Sequence, residues 1–228
     1  MRKILGFLAT LGLIITISLV VLPFKGNSHE VEAGNNNFID DNLFELYKND
    51  IKQAKGDKGK VSESSKYIVI EGKGFSKHDF KKYKANKDLF KRIKKKKLFS
   101  KEEIRGMYIK EKILVKKAKE KNLFVSTKKA KQYINNLQNL LSKADSNAKD
   151  VKMTKEFHLG VRKALGMTKA EYEKYLVEKY QKALSIGKLK SNFYKQYKGK
   201  KISHGEAGRA WNNHVKEIVN NASVKINE

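Results

Sequence analysis

Apolar positions along this chain recur mostly at spacings of three and four, and the stripes they form are separated by short polar breaks. Phe44, Tyr47, Ile51 and Ala54 mark a first helical stripe within Phe38–Ala54. A Gly, Lys and Ser stretch from Lys55 to Ser65 reads as a linker. Tyr67 to Ile70 is a short β-branched and aromatic run, the one clear strand signal in the chain, with Gly72 and Gly74 read as the turn after it. Ser76 followed by Asp79 predicts a capping box and a helix through Phe80, Tyr83, Leu89, Phe90 and Ile93, with a break near Asn86 left open.

Ser100 with Glu103 starts the next stripe, which holds Ile104, Tyr108, Leu114 and Ala118 and reaches about Lys121. A cap at Ser126 or Thr127 opens another, carrying Ala130, Ile134, Leu137 and Leu141. A short helix from near Thr154 runs through Val161 to Gly166, and Thr168 with Glu171 opens a long one. After a break at Lys198–Gly205, a last helix carries Trp211, Val215 and Ile218. Val224 and Ile226 alternate like a strand that could pair with Tyr67–Ile70. The expected fold is therefore all-α (mainly α) with one short two-stranded β pairing, a class that the single proline and the scarcity of turn clusters favour over a β-sandwich.

The start of the chain changes the picture. Arg2 and Lys3 precede an apolar run from Ile4 to Phe24, interrupted only by Thr10, Thr16 and Ser18 among polar residues. This is the pattern of a secretory signal or a signal anchor. The run is long enough to span a bilayer, and Val31-Glu32-Ala33 provides a cleavage site after Ala33. Cleavage and retention both stay open, and an extracytoplasmic protein is expected, either secreted or anchored by residues 4–24. The chain then divides into 1–33 as signal or anchor, 34–65 as N-terminal helix and linker, and 66–228 as a helical domain.

Charge matters next. Fifty-one Lys and Arg against 24 Asp and Glu give a formal net charge of +27, and removing residues 1–33 lowers it by only one. So strong a field favours anionic partners. Outside the cytoplasm these are lipid headgroups or anionic wall polymer, and no nucleic acid is expected. The basic residues concentrate at Lys91, Arg92, Lys94, Lys95, Lys96 and Lys97, which read either as a solvated helix end or as an anion-binding site.

Candidate chemistry is sparse. The absence of cysteine excludes disulfides, thiolate catalysis and zinc–thiolate sites. None of the five histidines has metal-ligand spacing, and no nucleophile elbow or phosphate-binding glycine loop occurs. No catalytic residue, metal or cofactor is expected. The informative feature is the long helix after Thr168, whose aromatic and aliphatic face is wider than one packing partner requires. Tyr172, Tyr175, Leu176 and Tyr180 lie along it, with Phe193, Tyr194 and Tyr197 at its end and Trp211 on the next helix.

Four segments in order resemble the chaperone domain of SurA/PrsA-type extracytoplasmic proteins. "YIVIEGKGFSKHDFKKY" resembles the strand, glycine turn and capped helix that open that domain. "IRGMYIKEKILVKKAKEKNLFVSTKKAKQYINNL" is similar to the family's next unit, with Ala118, Leu123, Val125, Ser126 and Ile134 in the corresponding places. "ALGMTKAEYEKYLVEKYQKALSIGKLKSNFY" is similar to its long helix through Leu165, Gly166, Thr168, Tyr172 and Leu189. The terminal "AWNNHVKEIVNNASVKI" looks like the returning helix and strand.

The resemblance covers Lys66 to the end, with departures. Glu71-Gly72 or Lys73-Gly74 stands where the family has Asn-Gly, and the lipid-anchor cysteine is missing. Lys198 to Gly205 leaves no room for the parvulin prolyl-isomerase domain that many members insert there. The resemblance implies a non-enzymatic holdase for unfolded or partly folded exported proteins. Tyr172, Tyr175, Leu176, Tyr180, Phe193, Tyr194, Tyr197 and Trp211 would then form its client-binding surface. The alternative is an exported basic helical module docking on anionic wall polymer or a membrane surface.

Overall fold

Local capping sets the helix starts. The computed structural model describes residues 38–55, 66–197, 199 and 203–227. Within them lie α1 (Asp41–Lys55), β1 (Lys66–Ile70), β2 (Lys73–Ser76), α2 (Lys77–Ile93), α3 (Lys101–Glu120), α4 (Thr127–Lys143), α5 (Lys149–Leu165), α6 (Lys169–Tyr194), α7 (His204–Asn220) and β3 (Val224–Ile226), with a 3-10 turn at Lys195–Tyr197. Five of these seven helices begin at a Ser or Thr whose hydroxyl accepts a backbone N–H three residues on.

Ser100, Thr168 and Ser203 form full capping boxes with Glu103, Glu171 and Glu206. Ser76 does not. Asp79 is one methylene shorter than Glu, and its carboxylate takes the Ser76 hydroxyl at 2.8 Å. Helix ends are as specific: α2, α3 and α5 each close in a left-handed residue, Lys95 (φ +49°), Asn122 (φ +55°) and Gly166 (φ +64°). At each, the next N–H donates to the carbonyl five residues earlier, as Lys96 N does to Lys91 O at 2.9 Å.

The sheet has three antiparallel strands in the order β2-β1-β3, one more than the sequence indicates. The two-residue turn is Glu71-Gly72, both at positive φ, so the chain reverses one residue before Lys73 and Lys73–Ser76 runs back along β1. The expected pairing with the C-terminal strand is present, with Ile68 opposite Ile226 and Ile70 opposite Val224. Two further differences concern helices. α2 runs unbroken through Asn86, and α5 begins at Lys149 rather than near Thr154. Thr154 is instead buried inside α5, its hydroxyl donating to Asp150 O at 2.7 Å.

Four apolar clusters hold the elements together. Tyr47 and Ile51 of α1 pack with Ala85 and Leu89 of α2, Val161 of α5 and Tyr172 of α6. α1, expected as part of a separate N-terminal segment, is thus sunk in a shared core, and its entry is fixed where Glu156 Oε2 accepts the Phe38 and Ile39 N–H groups. The sheet packs on Phe80, Ile104, Tyr108 and Ile113. α4 packs on Val177 and Tyr180, and α7 on Leu114, Ala118 and Leu189. α6 enters three of the four clusters, so it is the axis of the fold. Among the described residues, no helix is long and apolar enough to cross a membrane. The apolar run 4–24 and the proposed cleavage site lie outside the described residues.

Candidate functional site

α6 runs for 26 residues, and at 100° per residue no single row stays in line for that length. The eight aromatic and aliphatic candidates are accordingly divided. Tyr172, Tyr175 and Leu176 pack in the α1–α2–α5 cluster. Tyr180 lies in the α4 cluster, its ring 5.6 Å from that of Tyr133. Phe193, Tyr194 and Trp211 pack in the α3–α7 cluster, and Tyr197 reaches Phe193 at 5.6 Å. Tyr172, Tyr180 and Trp211 are buried. The broad face is therefore largely used in holding three neighbours, and the eight residues do not form one continuous open surface.

The first group borders a cleft, and Phe193, Tyr194 and Tyr197 of the third are also partly exposed. Between α2 and α6, bordered by α3 and α5, is a small, shallow cleft of about 80 Å³, well below the size of a small-molecule site. Its apolar lining comes from Tyr83, Phe157, Tyr175, Leu176, Ala183 and Ile186. Its charged lining is Lys87, Lys179, Lys182 and Glu111.

A polar spine fixes one wall. Tyr47 Oη and Tyr175 Oη both donate to Asn86 Oδ1 at 3.1 Å, and Asn86 Nδ2 donates to Lys82 O at 2.6 Å. The Tyr175 ring stacks on that of Tyr172 (5.9 Å, 23°), and the Tyr172 hydroxyl meets His158 Nδ1 at 2.8 Å. Burial pushes the Tyr47, Tyr83 and Tyr172 hydroxyls well above the usual tyrosine range. Burial also pulls the His158 imidazole down to about 4. At neutral pH these side chains are uncharged, so the wall offers hydrogen bonds and ring faces rather than a group that exchanges protons near pH 7.

The cations sit on the rings. Lys87 is only 7% exposed, with Nζ 5.0 Å from the Tyr83 centroid. Lys179 Nζ lies 5.3 Å from that of Tyr175. Burial lowers the affinity of Lys87 for its proton, Glu111 opposes that, and Lys179 adds to it. On the adjacent turn of α3, Lys112 is lowered first by burial and then by Lys182, and Lys179 acts in the same direction.

The basic run 91–97 is divided as well. Arg92 Nη1 pairs with Asp50 Oδ2 of α1 at 2.7 Å. Lys91 Nζ lies 3.8 Å from the Phe99 centroid and Lys94 Nζ 4.4 Å from that of Phe90. Lys95, Lys96 and Lys97 are exposed. Three of the six candidates are thus engaged within the fold and three face solvent. Among the described residues, no group of three His, Asp or Glu stands close enough to hold a metal ion.

Sequence reasoning missed Tyr83, Asn86, Lys87, Glu111, His158, Lys179 and Lys182. For the lysines the signal was present. Lys87 continues the Phe80–Tyr83 stripe at a spacing of four, and Lys179 and Lys182 continue Tyr172–Tyr175–Leu176 at spacings of three. A lysine on the apolar face reads as solvated in any hydropathy count, although its stem packs like an aliphatic chain. Compared with known proteins, the chain matches no family model, no curated protein and no solved structure.

Proposed function

We propose that the chain is an exported, non-catalytic chaperone that holds unfolded segments of other exported proteins in the cleft between α2 and α6. The observation that carries this reading is that Tyr83, Tyr175, Leu176 and Ile186, each packed on a core cluster by one side, keep part of their surface exposed along the shallow cleft between α2 and α6. Aromatic side chains give large contact area at low entropic cost, and a shallow cleft selects weakly, which suits varied clients. The signal-like residues 1–33 and the four ordered segments resembling SurA/PrsA-type chaperones support the same reading.

The test is light scattering as a denatured client is diluted into the purified protein at low and high salt. Suppressed aggregation at both salts, weakened by Tyr175→Ala, is expected. Suppression that vanishes with salt would overturn the reading. It would favour the second one, a basic module docking on anionic polymer or membrane, whose specific support is the exposed triplet Lys95, Lys96 and Lys97.

A further inference from the structure

The loop between α2 and α3 holds a run of charge and an exposed leucine side by side. From Lys94 to Lys101 there are five lysines and no acidic residue. The end of α2 distributes them. Lys95 is left-handed (φ +49°), and the Lys96 N–H donates to Lys91 O at 2.9 Å. In this closing motif the residue at the place of Lys96 is commonly apolar and packs back on the last turn. Here it is a lysine, and it faces solvent with Lys95 and Lys97. Arg92 is turned away to Asp50 of α1, and Lys91 lies over the Phe99 ring. Phe99 packs on the sheet cluster, but Leu98 beside it stays 41% exposed.

Four large apolar side chains are exposed among the described residues, Phe38, Leu46, Leu98 and Leu159, and of these Leu98 alone follows directly on a lysine run. A lone exposed leucine is ordinary on a protein surface. One with three outward lysines before it and Lys101 after it matches the surface of an anionic bilayer. There the ammonium groups reach headgroup phosphates, while their stems and a neighbouring leucine lie against the acyl boundary. A soluble anionic polymer would take the lysines but offers nothing to Leu98. The proposed export supplies the encounter, since it brings the chain to a membrane whether the run 4–24 is then cleaved or retained.

We infer that the Lys94–Lys101 loop docks on an anionic lipid bilayer, with Leu98 inserted below the headgroups and Lys95, Lys96, Lys97 and Lys101 on their phosphates. Few groups take part, so the contact is weak and reversible and sets the orientation of the domain rather than anchoring it. The inference rests on the basic surface of the second reading, which it commits to a bilayer, and does not depend on the cleft.

The test uses the full chain, whose lack of cysteine lets one be introduced and labelled at a chosen place. Lys97→Cys carries an environment-sensitive fluorophore beside Leu98 and leaves Lys95, Lys96 and Lys101 in place. Lys128→Cys carries the same label on α4, where the lysine is also exposed. Each is mixed with vesicles of phosphatidylcholine alone or with added phosphatidylglycerol, part of the lipid bearing a nitroxide quencher on its acyl chain. This local readout separates the loop from the N-terminal apolar run, which by itself can hold every variant to the vesicle. Quenching is expected at position 97 in the anionic vesicles only, and not at position 128. Leu98→Ser should lower the ratio of docked to free loop about three- to tenfold. Lys95→Gln with Lys96→Gln should lower it roughly thirtyfold, a factor of about five for each lysine near an anionic surface. All three side chains are exposed, so the helicity of these variants should equal that of the parent.

Equal quenching in neutral and anionic vesicles, or at positions 97 and 128, would overturn the inference. So would a Leu98→Ser variant that docks as well as its parent, since charge alone would then account for binding. Release of the loop by soluble poly(glycerol phosphate) at a lower phosphate concentration than the lipid presents would assign the surface to wall polymer; it would overturn the inference and leave the second reading standing. No quenching at position 97 and no binding of that polymer would overturn both and leave the holdase reading untouched.

Discussion

Gly160 offers the sharpest test of how α1 is held. It lies inside α5, where glycine is unfavourable by about 1 kcal/mol relative to alanine, so an alanine with free space around it would stabilise the helix. Space is lacking here: a Cβ at Gly160 would fall on the ring of Phe44, well inside van der Waals contact with its Cε1, Cε2 and Cζ atoms. Phe44 is buried in the cluster that joins α1 to α2, α5 and α6, so its ring has little room to retreat. Overpacking of this kind costs about 1–3 kcal/mol, which outweighs the propensity gain. Gly160→Ala should therefore destabilise the protein by roughly 1 kcal/mol, a fall in Tm of about 2–4 °C for a chain of this size. Gly106→Ala and Gly187→Ala lie in α3 and α6 with nothing within 4 Å of the new atom. They should each raise stability by about 0.5–1 kcal/mol. In a Phe44→Ala background the obstruction is gone, and Gly160→Ala should become stabilising like the other two. Thermal unfolding followed by circular dichroism reads all of these variants. If Gly160→Ala raises Tm as much as Gly106→Ala does, α1 does not seat its Phe44 ring on α5.

Other parts of the structure make separate demands. Lys95 closes α2 at φ +49°, a conformation that a Cβ disfavours; Lys95→Gly should stabilise by roughly 0.5 kcal/mol in urea unfolding, the strain relief exceeding glycine's entropy cost. Ser185 is fully buried and its hydroxyl accepts the Val125 N–H at 2.8 Å. Ser185→Ala orphans that donor and should cost about 1–2 kcal/mol by the same assay, after the gain in helix propensity is deducted. His158 is neutral in the folded chain and protonates only at about 4, whereas an unfolded histidine does so near 6.5. Its contribution is thus fully present above about pH 6.5 and lost as pH falls toward 4, by up to roughly 3 kcal/mol. His158→Gln should flatten the stability–pH curve in that window, and an unchanged slope would contradict the burial of the ring.

What the sequence reveals follows the range of the interactions involved. Capping boxes are legible because Ser100 with Glu103, or Thr168 with Glu171, act within one turn. The β1–β3 pairing is legible because Val224 and Ile226 alternate as β1 does. β2 is not: Lys73-Gly74-Phe75-Ser76 has little strand propensity, and its extended form depends on β1 beside it. The start of α5 is hidden because Ala148 offers no side-chain cap. For the site, Tyr172, Tyr175 and Leu176 stand out as a face of α6. Which of α6's faces stays open is decided by α2, α4 and α7 arriving from distant parts of the chain. The lysines of the cleft sit in the pattern at apolar positions and become meaningful only once α2 and α6 are seen to face each other.

The most direct test of the cleft as a client site is photo-cross-linking with a photoreactive residue introduced at Ala183, which lines the cleft, or at Lys96, in the exposed basic run. Each variant is mixed with a denatured exported protein as it is diluted to refold, at low and at high salt. Client cross-links at position 183 that persist in high salt, with few at position 96, are expected. Cross-links concentrated at position 96 and lost with salt would contradict the cleft as a client site and assign the protein's binding to its basic surface.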